Sequence, residues 1–72
     1  MKLPTPREIM MAHQYLYYVK TCPVISDLEY DQFCRFHCLD GSGGSDLESS
    51  YSERVKSLSQ SPELKQLTRL KI

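Results

Sequence analysis

No stretch of this sequence approaches the ~18 consecutive apolar residues of a membrane span, and its first residues, Met1-Lys2-Leu3-Pro4-Thr5-Pro6, lack the apolar run of a secretory signal. A soluble, cytoplasmic protein without membrane contact is expected. Net charge is also lacking, because nine lysines and arginines balance nine aspartates and glutamates. With no global positive field, direct nucleic-acid binding is not expected. Cysteines are few and odd in number: Cys22, Cys34 and Cys38. An intracellular chain keeps such thiols reduced, and they read as small hydrophobes. Two on one helix and one in a loop match no common zinc spacing, so they and His37 are assigned to packing and no metal is expected. Strand signals are confined to a brief ambiguity around Tyr15 to Val19.

What is present is short and unevenly charged. Seventy-two residues make one domain that buries only about 60 % of the surface its unfolded chain exposes, so a ligand, a partner or self-association would add useful stability. Residues 1–48 carry four basic and seven acidic side chains (−3), and residues 49–72 carry five and two (+3). The acidic part holds most of the aromatic residues.

The fold class expected is all-α: a small helical hairpin followed by one or two short helices. Thr5-Pro6-Arg7-Glu8 combines a capping threonine, a proline in the first turn and a glutamate at the third position, and opens a helix over 6–20. Ile9, Ala12, Leu16 and Val19 give it one apolar stripe, and Thr21-Cys22-Pro23 ends it. Ser26-Asp27-Leu28-Glu29 repeats the start signal, with Glu29 reaching back to the cap, and opens a helix over 27–39. Tyr30, Phe33, Cys34, His37 and Cys38 form the face that packs on the first helix. A glycine-rich loop spans 40–48, and Ser45-Asp46-Leu47-Glu48 reuses the capping chemistry. Val55, Leu58, Leu64, Leu67 and Leu70 then place short helices within 53–72, with Ser61-Pro62 starting the last.

The chemistry concentrates at the second helix start. Asp27 and Asp31, four apart, project from one side of the helix with Tyr30 beside them, and Tyr17 and Tyr18 at the end of the first helix fold back toward them. Carboxylates stacked on one helix do not face each other across a cleft, as acid–base hydrolysis requires. Aromatic faces beside carboxylates suit a flat cationic ring instead, through stacking and cation–π attraction of about 0.5–2 kcal/mol, while the carboxylates accept hydrogen bonds from ribose or amide groups. An oxidised nicotinamide nucleotide has these features. The Gly41–Ser45 loop ahead of a capped helix offers amides to a phosphate, which makes Ser45 a candidate contact, and Arg54 is the best basic candidate.

At these positions the chain resembles the N-terminal helical domain, Ia, of bacterial NAD-dependent DNA ligases. That family reads Tyr-Leu-Tyr-(Tyr or His)-Val, a short loop with Ala-Pro, then Ile-Ser/Pro-Asp-x-Glu-Tyr-Asp; this chain reads YLYYV-KTCP-VISDLEYD from Tyr15 to Asp31. Further on, SYSERV from Ser50 to Val55 is similar to the family's Ser-Pro-Thr-Gln-Arg-Val, so the resemblance covers residues 6–55. In the ligases this domain grips the nicotinamide mononucleotide (NMN) half of NAD while an adenylation domain transfers AMP to a lysine. The resemblance implies that Tyr17, Tyr18, Asp27, Tyr30 and Asp31 face the nicotinamide nucleotide.

Two departures shape the functional expectation. The chain carries no Lys-x-Asp-Gly nucleophile motif and stops where an adenylation domain would follow, and a Gly-Ser-Gly-Gly loop replaces the family's long helical continuation after Asp31. A non-enzymatic protein is therefore expected, needing no cofactor and binding NAD, NMN or an ADP-ribose-type signal as ligand. It would act as a sequestering sponge, such as a virus might turn against NAD-derived immune signals in host cytoplasm, with a homodimer closing the pocket. The alternative is a detached subunit or decoy that docks on the adenylation domain of an NAD-dependent DNA ligase, using the basic, leucine-bearing segment Glu63 to Ile72.

Overall fold

The computed structural model describes residues 4–41 and 44–69. They form α1 (Pro6–Tyr18), α2 (Asp27–Phe36), a 3-10 turn (Glu48–Ser50), α3 (Glu53–Ser59) and α4 (Leu64–Arg69), with no strand among the described residues. The protein is all-α. Ser42, Gly43 and Leu70 to Ile72, which belong to the expected glycine loop and terminal helix, lie outside the described residues.

The helix starts follow from their capping residues. Thr5 Oγ1 accepts from the Glu8 amide (3.2 Å) and Glu8 Oε1 accepts from the Thr5 amide (2.9 Å), a complete capping box. That amide, and then Arg54 in α3, hold the Glu8 carboxyl below its usual range. Ser26 caps α2 by accepting from the Glu29 amide, but the reciprocal half expected there is not made: the Glu29 carboxylate points to Arg69 of α4 at 3.6 Å. Ser52 caps α3 in the same way, accepting from the Val55 amide.

Both long helices stop earlier than expected, each ahead of a left-handed residue. Thr21 adopts φ 51° and Cys38 φ 57°, the left-handed region that terminates a helix. At the end of α2 the Cys38 amide donates to the Arg35 carbonyl and the Leu39 amide to the Cys34 carbonyl. These two bonds form a Schellman motif with a cysteine where glycine is usual. Helix α2 therefore ends at Phe36 rather than 39, and α1 at Tyr18 rather than 20. At α1 the Val19 and Lys20 amides both return to the Tyr15 carbonyl before Cys22 reaches back to Leu16.

Helix α1 is the centre of the fold. Helix α3 packs along it most extensively, and α2 and α4 meet it over smaller areas. Ile9, Ala12 and Leu16 of the expected stripe are buried, but so are Met10, His13, Gln14 and Tyr15, because neighbours cover more than one face. Phe33 and Cys34 of α2, Tyr51, Val55 of α3 and Leu64 of α4 complete the core. The assignment of all three thiols to packing holds for Cys34 alone; Cys22 and Cys38 are exposed because each lies at or beside a left-handed helix exit.

Two buried tyrosines pin the connection to α3. The Tyr15 hydroxyl donates to Glu48 Oε1 (2.9 Å), and its ring meets Tyr51 edge-on with centroids 5.2 Å apart. The Tyr51 hydroxyl donates to the Ser45 carbonyl and accepts from the Ser45 amide. No capped α-helix begins at Ser45. Its Oγ accepts from the Leu47 amide in a local turn, and the following 3-10 turn has no side-chain cap.

A left-handed residue with a Cβ costs about 1–2 kcal/mol, partly offset in a glycine replacement by the greater freedom of the unfolded chain. Cys38→Gly and Thr21→Gly should therefore each stabilise the fold by about 0.5–1 kcal/mol in urea denaturation. Cys38→Val, adding a β-branch at the same backbone angle, should destabilise it.

Candidate functional site

The bend between α1 and α2 encloses a cavity of about 240 Å³. Helix α1 supplies His13, Gln14, Tyr17 and Tyr18, which share one face because positions i and i+4 align. The connection supplies Pro23, Ile25 and Ser26, and the first turn of α2 supplies Asp27 and Tyr30. Four of the seven expected site residues, Tyr17, Tyr18, Asp27 and Tyr30, thus border one space.

Tyr17 and Tyr18 stand at the mouth, about half exposed, with ring centroids 4.9 Å apart and planes at 84°. A flat ligand can lie on one ring and meet the edge of the other. Tyr18 packs against Gly44, where an added Cβ would lie only 2.0 Å from the tyrosine Cε2. Gly44 is required by this close approach rather than by an unusual backbone angle.

Tyr30 is the structural wall. Its hydroxyl donates to the Gly41 carbonyl (3.0 Å) and accepts from Gln14 Nε2 (2.9 Å), which also reaches that carbonyl at 3.3 Å. Burial, above all, raises the Tyr30 phenol well above its usual range, so it stays protonated. Because Nε2 must be the atom facing a carbonyl, the orientation of the Gln14 amide is determined, and Oε1 is its other end.

His13 is arranged similarly. Its Nε2 lies 2.5 Å from Thr68 Oγ1, and that hydroxyl donates to the Leu64 carbonyl. The single hydroxyl proton is committed, so Nε2–H must donate to it, leaving Nδ1 with a lone pair. Among the described residues neither Nδ1 nor Gln14 Oε1 has a hydrogen-bond partner, yet no fully buried side-chain nitrogen or oxygen there is unpartnered. Both atoms are therefore not fully buried, and the two residues that carry them border this cavity. His13 and Gln14 are only 4 % and 6 % exposed.

The other three expected residues lie elsewhere. Asp31 forms an ion pair with Arg35 at 3.0 Å on an exposed part of α2. Ser45 has its amide and carbonyl on Tyr51 and its hydroxyl with Leu47 and Ser50. Arg54 pairs with Glu8, joining the starts of α3 and α1. None of the three borders the cavity.

A wider hollow of about 500 Å³ lies between α2 and α4, bordered by Glu29, Phe33, Phe36 and Arg69. Its charges are already paired, Arg69 with Glu29 across the hollow and Arg35 with Asp31 outside it. The smaller cavity is the one bordered by three tyrosines together with the Asp27 side chain. No family model matches the chain, and no curated protein or solved structure does.

Burial lowers the His13 pKa from 6.5 to about 4, with nearby Glu29 opposing the shift. The unfolded chain therefore takes up this proton first as pH falls. The His13 contribution to stability should be full above pH 6.5, decline by roughly 1.4 kcal/mol per unit below that, and level off near pH 4, about 3 kcal/mol lower. Urea midpoints across that range should show the slope in wild type, and His13→Gln, which retains an N–H for Thr68, should flatten it.

Proposed function

We propose that this cavity binds the nicotinamide mononucleotide portion of a nucleotide, as free NMN, within NAD or within an NAD-derived signal, without chemical turnover. The observation that carries the reading is the convergence of Tyr17, Tyr18 and Tyr30 with the Asp27 carboxylate on one space between two helices. A cationic pyridinium gains from the tyrosine faces by stacking and cation–π attraction and from the carboxylate by charge. A neutral aromatic ring would use only the first. The motif resemblance to ligase domain Ia supports the same ligand at the same four residues.

Size narrows the ligand. Pockets for drug-sized molecules hold about 300–1,000 Å³. At about 240 Å³ the cavity matches a ring and its sugar better than a whole dinucleotide. An adenosine half would extend over the mouth, where Tyr17 and Tyr18 are exposed and Val24 and Leu28 add exposed apolar surface close by in the chain. That apolar rim favours closure by a second protein surface, either another copy of this chain or a ligase adenylation domain.

In this reading the protein is a sequestering module, and its marginal core makes ligand binding easy to observe. NMN should raise the thermal midpoint in proportion to RT ln(1 + [L]/Kd). Tyr18→Ala and Asp27→Asn should each weaken NMN about tenfold by calorimetry, in line with the loss of one cation–π or charged contact. Gly44→Ala, which displaces the Tyr18 ring, should weaken it while leaving helicity intact, and Asp31→Asn should change it little. A midpoint unmoved by millimolar NMN would contradict the proposal.

A further inference from the structure

We propose that His13 and Gln14 make the cavity selective for a ligand carrying a primary carboxamide, and that it rejects the corresponding carboxylic acid. The inference rests on the nucleotide-binding reading above and specifies which pyridine nucleotide the site accepts.

Each of the two side chains is anchored by its donor end and presents its acceptor end. His13 Nε2–H is held by Thr68, and Gln14 Nε2 is held by Tyr30 and the Gly41 carbonyl. Neither side chain can exchange its donor for its acceptor without breaking a buried hydrogen bond. Nδ1 and Oε1 are therefore fixed as acceptors on two residues that border the cavity, and Asp27 adds a carboxylate to the same lining. The hydroxyls of Ser26, Tyr17 and Tyr18 rotate and serve either polarity, so they do not discriminate.

An amide nitrogen brings two N–H donors to such a wall and satisfies acceptors that otherwise have only solvent. An ionised carboxylate brings only acceptors, so its oxygens would face lone pairs and a negative charge. No lysine or arginine is among the described residues bordering the cavity, and these give the acid no counter-ion. The lowered pKa of His13 keeps its ring neutral at pH 7, so it adds no positive charge to the lining. Sites built around fixed hydrogen-bond partners discriminate strongly, because the wrong ligand leaves buried polar groups unpaired.

The test uses the full chain and a nearly isosteric pair of ligands, NMN and nicotinic acid mononucleotide, titrated at pH 7 by calorimetry. The acid is expected to bind at least tenfold more weakly. In parallel, nitrogen NMR of the imidazole should show a proton on Nε2 and none on Nδ1 of His13. The Nδ1 resonance should move on saturation with NMN and stay in place with the acid. Equal affinities, or tighter binding of the acid, would overturn the selectivity while leaving the nucleotide reading intact. A preference for NMN with the Nδ1 resonance and the Gln14 side-chain amide unmoved would overturn the assignment to these residues. Failure of both ligands to bind at millimolar concentration would overturn the nucleotide reading and this inference with it.

Discussion

The hydrogen bonds joining the Gln14 amide, the Tyr30 hydroxyl and the Gly41 carbonyl hold three parts of the chain in one arrangement: the middle of α1, the first turns of α2, and the start of the loop to α3. A largely buried tyrosine hydroxyl must be paired, and here its partners are the loop backbone and the helix it faces. The spacing between α1 and α2 follows from that pairing, because the Tyr30 ring fills the gap and the space left beside it is the cavity. Close packing permits little adjustment: an added Cβ at Gly41 would sit 3.0 Å from Cys34 Sγ and 3.1 Å from the Tyr30 ring.

The same device recurs along α1. Tyr15 ties its hydroxyl to Glu48, and His13 ties Nε2 to Thr68, so three consecutive residues of one helix reach α4, α2 and the 3-10 turn in different directions. A short chain cannot enclose α1 with apolar surface alone, and specific polar bonds at its periphery substitute for missing core. In His13 and Gln14 one end of the side chain secures the fold, and both residues border the cavity. Positional rigidity of that kind is what recognition of a small ligand requires.

Where helices begin was legible from the sequence, since Thr5 with Glu8 and Ser26 are local capping signals that the structure uses. Where they end was less legible. The left-handed exits are built on Thr21 and Cys38, residues that carry a Cβ, and the glycines that mark a stop lie further on, with Gly44 packed against Tyr18. Partial legibility of the site has a geometric cause. Relative to Asp27, Tyr30 is displaced by about 60° around α2 in one direction and Asp31 by about 40° in the other. The cavity lies on the Tyr30 side, and Asp31 turns instead to Arg35. His13 and Gln14 precede Tyr17 and Tyr18 by four residues, a spacing that places them on the same face. Nothing local distinguishes them from ordinary core residues, because their roles depend on Thr68 and Gly41, which are remote in sequence.

The central claim is that side chains from the end of one helix and the start of the next form a single binding cavity for a nicotinamide nucleotide. Amide-resolved NMR during titration with NMN tests it most directly. Saturable shifts should centre on His13, Gln14, Tyr17, Tyr18, Ser26, Asp27 and Tyr30, with the Glu8–Arg54 junction silent. Shifts centred on the hollow beside Phe36 and Arg69, or none at millimolar NMN, would contradict the account.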